Sequence, residues 1–298
     1  MNFAIIPDIH ASIERLTKSL EIAPSHQLIF LGDLIDGGAN PGKCDDLSVL
    51  ETVKALVDCG RARVVMGNHE LNAIMFHRRS NEYNLPFRPH KAGNLQQHKS
   101  FIDTFGIETE DALYWTGWML ENFPLWIEYD EFRIVHACWS SRAIDIIKAR
   151  RRDGFLKFED LYEIAFGETP FAKAVEMLTS GPEVCLPDGY SFRDRYGVER
   201  NEVRLAWWNS DSAFWRSAAL SVPDVSELPE GKLPSKALGE IYAKEEVPVF
   251  VGHYKMTGTP KIGQSNAVSL DYPNTPCVYL FGGEAVLQQS NLVFVRNS

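Results

Sequence analysis

The chain has 298 residues, 45% of them hydrophobic, and a formal net charge of −10 at pH 7. That length suits one α/β domain with an insertion as well as two domains, and the apolar content is enough for a large core. The acidic balance argues against non-specific nucleic-acid binding, which needs clustered Lys and Arg, and no apolar stretch nears the roughly 18 residues of a membrane span.

Phe3 to Ile6 is a short continuous apolar run, the pattern of a strand buried on both faces. Met1 and Asn2 lead into it without a basic region or cleavage site, so no secretory or transit signal and a cytoplasmic location are expected. Ile13, Leu16 and Leu20 then take helical spacing, which places Asp8 and His10 on a strand-to-helix turn. Leu28 to Leu31 repeats the strand theme and ends in Gly32-Asp33. Leu47, Leu50, Val53, Leu56 and Val57 form a helical stripe that stops at Gly60. Val64 to Met66 predicts a third strand, ending in Gly67-Asn68-His69. This alternation is the grammar of a parallel sheet with crossover helices, whose sites lie beyond the carboxyl ends of the strands.

From about Asn81 to Phe123 the chain is mixed and reads as helical. Trp126–Tyr129 and Phe132–Val135 predict two strands that deliver His136. The segment at about 140–244 loses the rhythm of strand and motif, and reads as a largely helical cap inserted in a single domain spanning 1–298. Val247 to Val251 returns to a core strand ending in Gly252-His253, and Ala267–Leu270 and Ala285–Val295 read as closing strands of an antiparallel sheet. Cys44, Cys59, Cys138, Cys185 and Cys277 are odd in number and lack Cys-x-x-Cys spacing, which suits thiols in a reducing compartment and gives no zinc ribbon.

Five strand ends thus carry Asp8 and His10, Asp33 and Asp36, Asn68 and His69, His136, and His253. Carboxylate and amide oxygens suit hard divalent cations, and imidazoles suit Mn, Fe, Zn or Ni. One carboxylate bridging two ions would hold a shared water of lowered pKa for attack on phosphorus. The leaving oxygen needs a proton, and His69 oriented by Asp36 fits that role.

Together the motifs resemble those of the calcineurin-like metallophosphoesterases, most nearly the phosphoprotein phosphatases and the bacterial diadenosine tetraphosphatases. The resemblance spans about residues 3 to 295 and is least diagnostic in the inserted segment. It implies two packed mixed sheets flanked by helices and two divalent ions, Mn or Fe first, with Zn, Ni or Mg as alternatives. By this resemblance Asp8 and His10 hold the first metal, Asp33 bridges, and Asn68, His136 and His253 hold the second. Asp271 matches a late aspartate near the site in these relatives. The implied substrate is a phosphoprotein or a dinucleoside polyphosphate. The rival is a fold that has lost turnover and serves as a protein-binding scaffold.

Three departures stand out. Gly37 occupies the place of a phosphate-clamping Arg, for which Arg193, Arg195 or Arg204 in the insertion could substitute. His136 is followed by Ala137-Cys138 where the family has two glycines, and His253 lacks the second His of phosphodiesterase-type members. Elsewhere His77, His90 and His98 read as surface or local hydrogen-bonding residues, Glu70 as support for its turn, and Lys148 to Arg152 as a solvated helix face. Trp207-Trp208 read first as packing, with nucleobase stacking as the sharper reading.

Overall fold

The computed structural model describes residues 2–37, 44–194, 197–208, 213–234, 242 and 245–295; Arg195 lies outside them. The first half runs β1 (Phe3–Ile6), α1 (Ile13–Ile22), β2 (Gln27–Phe30), α2 (Asp46–Asp58), β3 (Ala62–Val64) and α3 (Asn68–His77). Then come α4 (Ala92–Gln97), α5 (Lys99–Phe105), α6 (Glu110–Asn122), β4 (Trp126–Glu128) and β5 (Arg133–Val135). Ser12 caps α1 and Asp45 caps α2 through their side chains, which fixes where the loops after β1 and β2 end.

The segment at about 140–244 opens with α7 (Ser141–Lys148), α8 (Leu161–Phe166) and α9 (Pro170–Ser180). It continues as short strands: β6 (Glu183–Cys185), β7 (Phe192–Arg193), β8 (Glu199–Arg200) and β9 (Glu202–Leu205), followed by α10 (Trp215–Ala218) and β10 (Ala219–Leu220). The chain closes with β11 (Val249–Val251), β12 (Ala267–Ser269), β13 (Cys277–Phe281) and β14 (Leu292–Phe294).

Two mixed sheets carry the architecture. One has the order β14-β13-β1-β2-β3, with β1, β2 and β3 parallel and β13 and β14 antiparallel to their neighbours; the other is β12-β11-β5-β4. Side chains alternate across the strands as a pleat requires. Ile5, Ile29, Phe132, Ile134, Phe250 and Tyr279 meet in one core between the sheets. Ala4, Ile6, Leu28 and Phe30 face the helices in a second, with Leu16, Val53, Ile74, Met119 and Val175. This is the expected helix-sheet-sheet-helix sandwich.

Two strand readings are corrected. β12 pairs parallel to β11, so it does not close an antiparallel sheet, and within Ala285–Val295 only β14 is a strand. The antiparallel partner of β1 is β13, an apolar run the sequence reading passed over. In the segment at about 140–244, α7 and α9 pack into the main core through Ile144, Ile147, Val175 and Leu178. The later strands build a small core of their own around Phe192, Val203, Leu205 and Trp215. Among the described residues, no helix is long and apolar enough to cross a membrane.

Candidate metal centre

Every ligand candidate sits within a few residues of the carboxyl end of a parallel or mixed-sheet strand. Asp8 and His10 follow β1, Asp33 and Asp36 follow β2, Asn68 and His69 open α3 after β3, His136 follows β5, and His253 follows β11. The turns that aim them are strained. His10 (φ 49°), Ala11 (55°), Asp33 (50°), Asp36 (66°) and His253 (63°) all lie in the left-handed region, which side-chain-bearing residues seldom adopt. Gly32 and Gly67 close the gap between two of these turns. A Cβ on Gly32 would sit 2.7 Å from the Gly67 Cα, and one on Gly67 would sit 2.4 Å from Asp33 Oδ1.

The side chains converge. His10, Asp33 and His69 present donor atoms within 4.8 Å of one another, and so do Asp33, His136 and His253; Asp33 belongs to both groups. Asp8 Oδ2 lies 4.0 Å from His10 Nε2, and both Asp8 oxygens accept from the His253 N–H, at 3.2 and 3.1 Å. Asn68 Oδ1 lies 3.0 Å from His136 Nε2 and 2.8 Å from His253 Nδ1. The structure therefore gathers all six ligand candidates, Asp8, His10, Asp33, Asn68, His136 and His253, in one place.

Do these donors suit cations? His136 Nδ1 donates to the Leu31 carbonyl at 2.6 Å, because a carbonyl can only accept. Burial lowers the His136 pKa, so the ring is neutral and its Nε2 carries a lone pair, yet it faces Asn68 Oδ1 at 3.0 Å and Asp33 Oδ1 at 3.4 Å. Acceptors turned on one another in a buried pocket fit a shared cation. His10 repeats the arrangement with Nδ1 toward the Ile35 carbonyl at 3.4 Å, and its buried Nε2 has no hydrogen-bond partner among the described residues. Burial pushes the His10 pKa down to about 3 and lowers those of His136 and His253, so these rings are neutral and able to ligate. Burial first, then the charges of Asp271 and Asp33, raise Asp8 well above the usual carboxyl range. Asp271 itself is buried, with neither oxygen hydrogen-bonded among the described residues, and burial lifts it to about 6.

Beside the donors stands a proton-handling pair. His69 Nδ1 lies 2.8 Å from Asp36 Oδ2, and His69 Nε2 lies 3.9 Å from Asp33 Oδ2. Burial opposes a charge on His69, but Asp33, Asp36 and Glu70 outweigh it and raise its pKa to about 9, so the ring carries a proton at neutral pH. Glu70 does support the turn: its carboxylate accepts the N–H groups of Asp33 (2.8 Å) and Leu34 (2.7 Å). Asp46, which the sequence reading did not single out, accepts the Asp36 N–H at 3.0 Å.

Other expectations fare differently. Arg193 sits in the β7–β8 hairpin, its guanidinium on the Gly197 carbonyl; Arg204 pairs with Glu183, and its charge reaches His136 and His253. Trp207 and Trp208 are buried, with Trp207 Nε1 donating to the Ala137 carbonyl and Trp208 against Tyr254, so neither offers a face to a base. The run Lys148–Arg152 is solvated as expected, with Ala149, Arg150 and Arg152 exposed, but it is not a helix face: α7 ends at Lys148, and Arg150 and Arg151 pair with Asp160, Glu163 and Glu159. His77 and His98 are buried, which rules out the surface reading for them, while His90 hydrogen-bonds the Phe76 carbonyl.

The two-sheet sandwich, with oxygen and imidazole donors gathered at its strand ends, defines a fold of the metallophosphoesterase class. The chain belongs to the calcineurin-like phosphoesterase family, whose model matches residues 1–154. Over 59 residues it is 41% identical to the symmetrical bis(5'-nucleosyl)-tetraphosphatase of Janthinobacterium sp. (strain Marseille). That match covers 20% of this chain and 19% of the relative, so the chain spans about a fifth of the relative's length. Solved structures align over far more of it at low identity. One, provisionally assigned as a diadenosine tetraphosphatase, is 15% identical over 100% of this chain and 95% of that one, with a TM-score of 0.45. Another, the cold-active protein-tyrosine phosphatase of a psychrophilic Shewanella sp., is 12% identical over 94% and 74%, with a TM-score of 0.49. At those levels the structural likeness carries no functional weight.

Proposed function

We propose that this chain hydrolyses a phosphate ester or phosphoanhydride at a centre of two divalent cations, of the Mn or Fe type. Asp8, His10 and Asp33 would hold one cation, and Asp33, Asn68, His136 and His253 the other. When bound, such a pair supplies a water of lowered pKa and positive charge for the phosphoryl oxygens. His69 holds a proton on Nε2 for the leaving oxygen, and Asp36 fixes the ring through Nδ1. Arg204 is the proposed phosphate contact from the inserted segment, which we read as a cap within one domain; Arg193 in its hairpin has less support.

The observation that carries this reading is the meeting of His136 Nε2 with Asn68 Oδ1 and Asp33 Oδ1, three acceptors within 3.4 Å that a cation would satisfy. It also favours turnover over a protein-binding scaffold, since a scaffold has no use for converging acceptors beside a protonated histidine. Of the two substrate classes, a dinucleoside polyphosphate has the added support of the short stretch shared with the Janthinobacterium enzyme. The test is phosphate release from diadenosine tetraphosphate, p-nitrophenyl phosphate and a phosphoserine peptide, with Mn²⁺ or with chelator. Metal-dependent turnover that Asp33→Asn abolishes is expected; unchanged turnover in that variant overturns the mechanism.

A further inference from the structure

We propose that His98 is a positioning residue for the His69–Asp36 pair, locked in the required tautomer by His77. The inference rests on the reading of His69 as the proton donor. Four hydrogen bonds run in series away from the metal centre. Asp36 Oδ2 accepts from His69 Nδ1 at 2.8 Å, and Asp36 Oδ1 accepts from His98 Nδ1 at 2.7 Å. His98 Nε2 meets His77 Nε2 at 2.9 Å, and His77 Nδ1 accepts the Glu108 backbone N–H at 3.0 Å.

The far end of the series decides every proton in it. A main-chain N–H can only donate, so His77 Nδ1 must be the lone-pair nitrogen. With its lone pair on Nδ1 the His77 ring is neutral and carries its proton on Nε2, and that proton points at His98 Nε2. His98 Nε2 is therefore an acceptor, its Nδ1 carries the hydrogen, and that hydrogen goes to Asp36 Oδ1. Asp36 is left one free oxygen, Oδ2, turned to His69 Nδ1–H. His69 is thereby held with its Nε2 toward Asp33. Because the series ends on a peptide amide, which releases no proton at working pH, it is a strut and not a proton wire.

The packing agrees with a fixed strut. His77 and His98 are buried, 2% and 4% exposed. His98 stacks on Phe101 with centroids 4.7 Å apart and planes 17° apart, and the edge of Phe76 closes its other flank at 5.3 Å. The Asp36 backbone is pinned separately by Asp46, so only the carboxylate plane depends on His98. A plain structural role would need none of this directionality: any buried hydrogen-bonded pair would serve the core.

The variants are His98→Leu, which removes the donor, and His98→Asn, whose amide N–H can stand where Nδ1–H stood. With the metal-loaded enzyme, His98→Leu should lower kcat about 10–100-fold at unchanged KM, as losses of orienting partners do. The loss should be larger, about tenfold, for phenyl phosphate than for p-nitrophenyl phosphate, because a poor leaving group depends more on the donated proton. His98→Asn should recover kcat to within about threefold. An equal loss on both esters, or Asn as poor as Leu, overturns the proposal. A second readout does not depend on the variants folding. Long-range ¹H–¹⁵N spectra of histidine-labelled, metal-free protein should show His98 protonated on Nδ1 and His77 on Nε2; the opposite tautomers overturn it. A wild-type enzyme silent on every phosphoester removes the proton-donor reading and the strut's purpose with it, whereas an active enzyme indifferent to His98→Leu removes the strut alone.

Discussion

Gly37 explains why the family's arginine is missing, and the explanation can be measured. Its φ is not in the left-handed region, so the backbone would accept a side chain. The space would not: a Cβ there would lie 2.0 Å from Cys44 Sγ, 2.9 Å from Cys44 Cβ and 3.0 Å from the His10 carbonyl oxygen. Gly37→Ala should therefore behave as an overpacked core substitution, costing about 1–3 kcal/mol. For a chain of this size that is a fall of about 2–8 °C in Tm. Cys44→Gly removes both sulfur and Cβ, leaving only the His10 contact to relax by a few tenths of an ångström. Combined with Gly37→Ala it should return about 1–2 kcal/mol as coupling between the two sites. The assay is urea unfolding of all four proteins with chelator present, so that cation binding does not enter the balance. A Gly37→Ala variant as stable as wild type, or strictly additive effects, would refute the steric account. If the account holds, Gly37→Arg alone cannot rebuild the family's clamp, because Cys44 already fills the start of its path.

Three further outcomes follow from the centre and its surroundings. Mn²⁺ at about 100 times its Kd should stabilise the fold by about 2.7 kcal/mol in thermal melts; Asp33→Asn should lose that gain, and a wild type whose Tm ignores the cation would sink the ligand set. His77 is pressed down to about 3 by burial and by its neighbours His98 and His90, from 6.5 when unfolded. Between those values the unfolded chain binds a proton that the folded one refuses, so stability falls as pH drops, by up to about 1.4 kcal/mol per pH unit from this group. His77→Gln should flatten the slope of unfolding free energy between pH 6 and pH 4 (both about) by that amount, and parallel slopes would contradict it. Asp8→Asn should stabilise the chelator-treated protein by about 1–2 kcal/mol while abolishing the Mn²⁺ response, since it removes a carboxylate raised by burial and by Asp271; a lower Tm without metal would count against this.

How much of this could be read from residues alone depended on how local the physics was. β1 and β2 announce themselves because both of their faces are buried and the apolar run is unbroken, and Asp8, His10 and Asp33 follow at once. Pairing direction is a different matter. Nothing in Ala267-Val268-Ser269 says that its neighbour will run parallel, because that is decided by the long connection from β11. Cys277–Phe281 is a continuous apolar run, yet nothing local in it says that it pairs antiparallel to β1 at the other end of the chain. His98 left no signal at all. It lies at the junction of two short helices in a polar stretch, and only the folded chain brings it 62 residues across the sequence to Asp36. Gly37 is legible as a departure from the family pattern, but Cys44, which fills the space beside it, meets it only in the folded chain.

The buried acids around the centre divide by what fills their oxygens. Glu70 takes two backbone N–H groups and Asp36 takes two imidazole donors, and each holds a turn or a ring in place. Burial alone would push Asp36 up, but its imidazole neighbours and their hydrogen bonds outweigh that and bring it to about 2, so it stays a carboxylate whatever happens at the centre. Asp8 accepts the His253 N–H, and Asp271 has no hydrogen-bond partner on either oxygen among the described residues; burial outweighs what opposes it and raises both. The packed sheets and the filled acids thus supply a rigid frame that can carry strained, electrostatically unsettled acids and neutral imidazoles on its loops. Such a frame gives up stability at the strand ends in exchange for a preformed cradle for cations, so substitutions there should trade metal affinity against stability in opposite directions, whereas substitutions of Glu70, which holds the Asp33 turn, should lose both together.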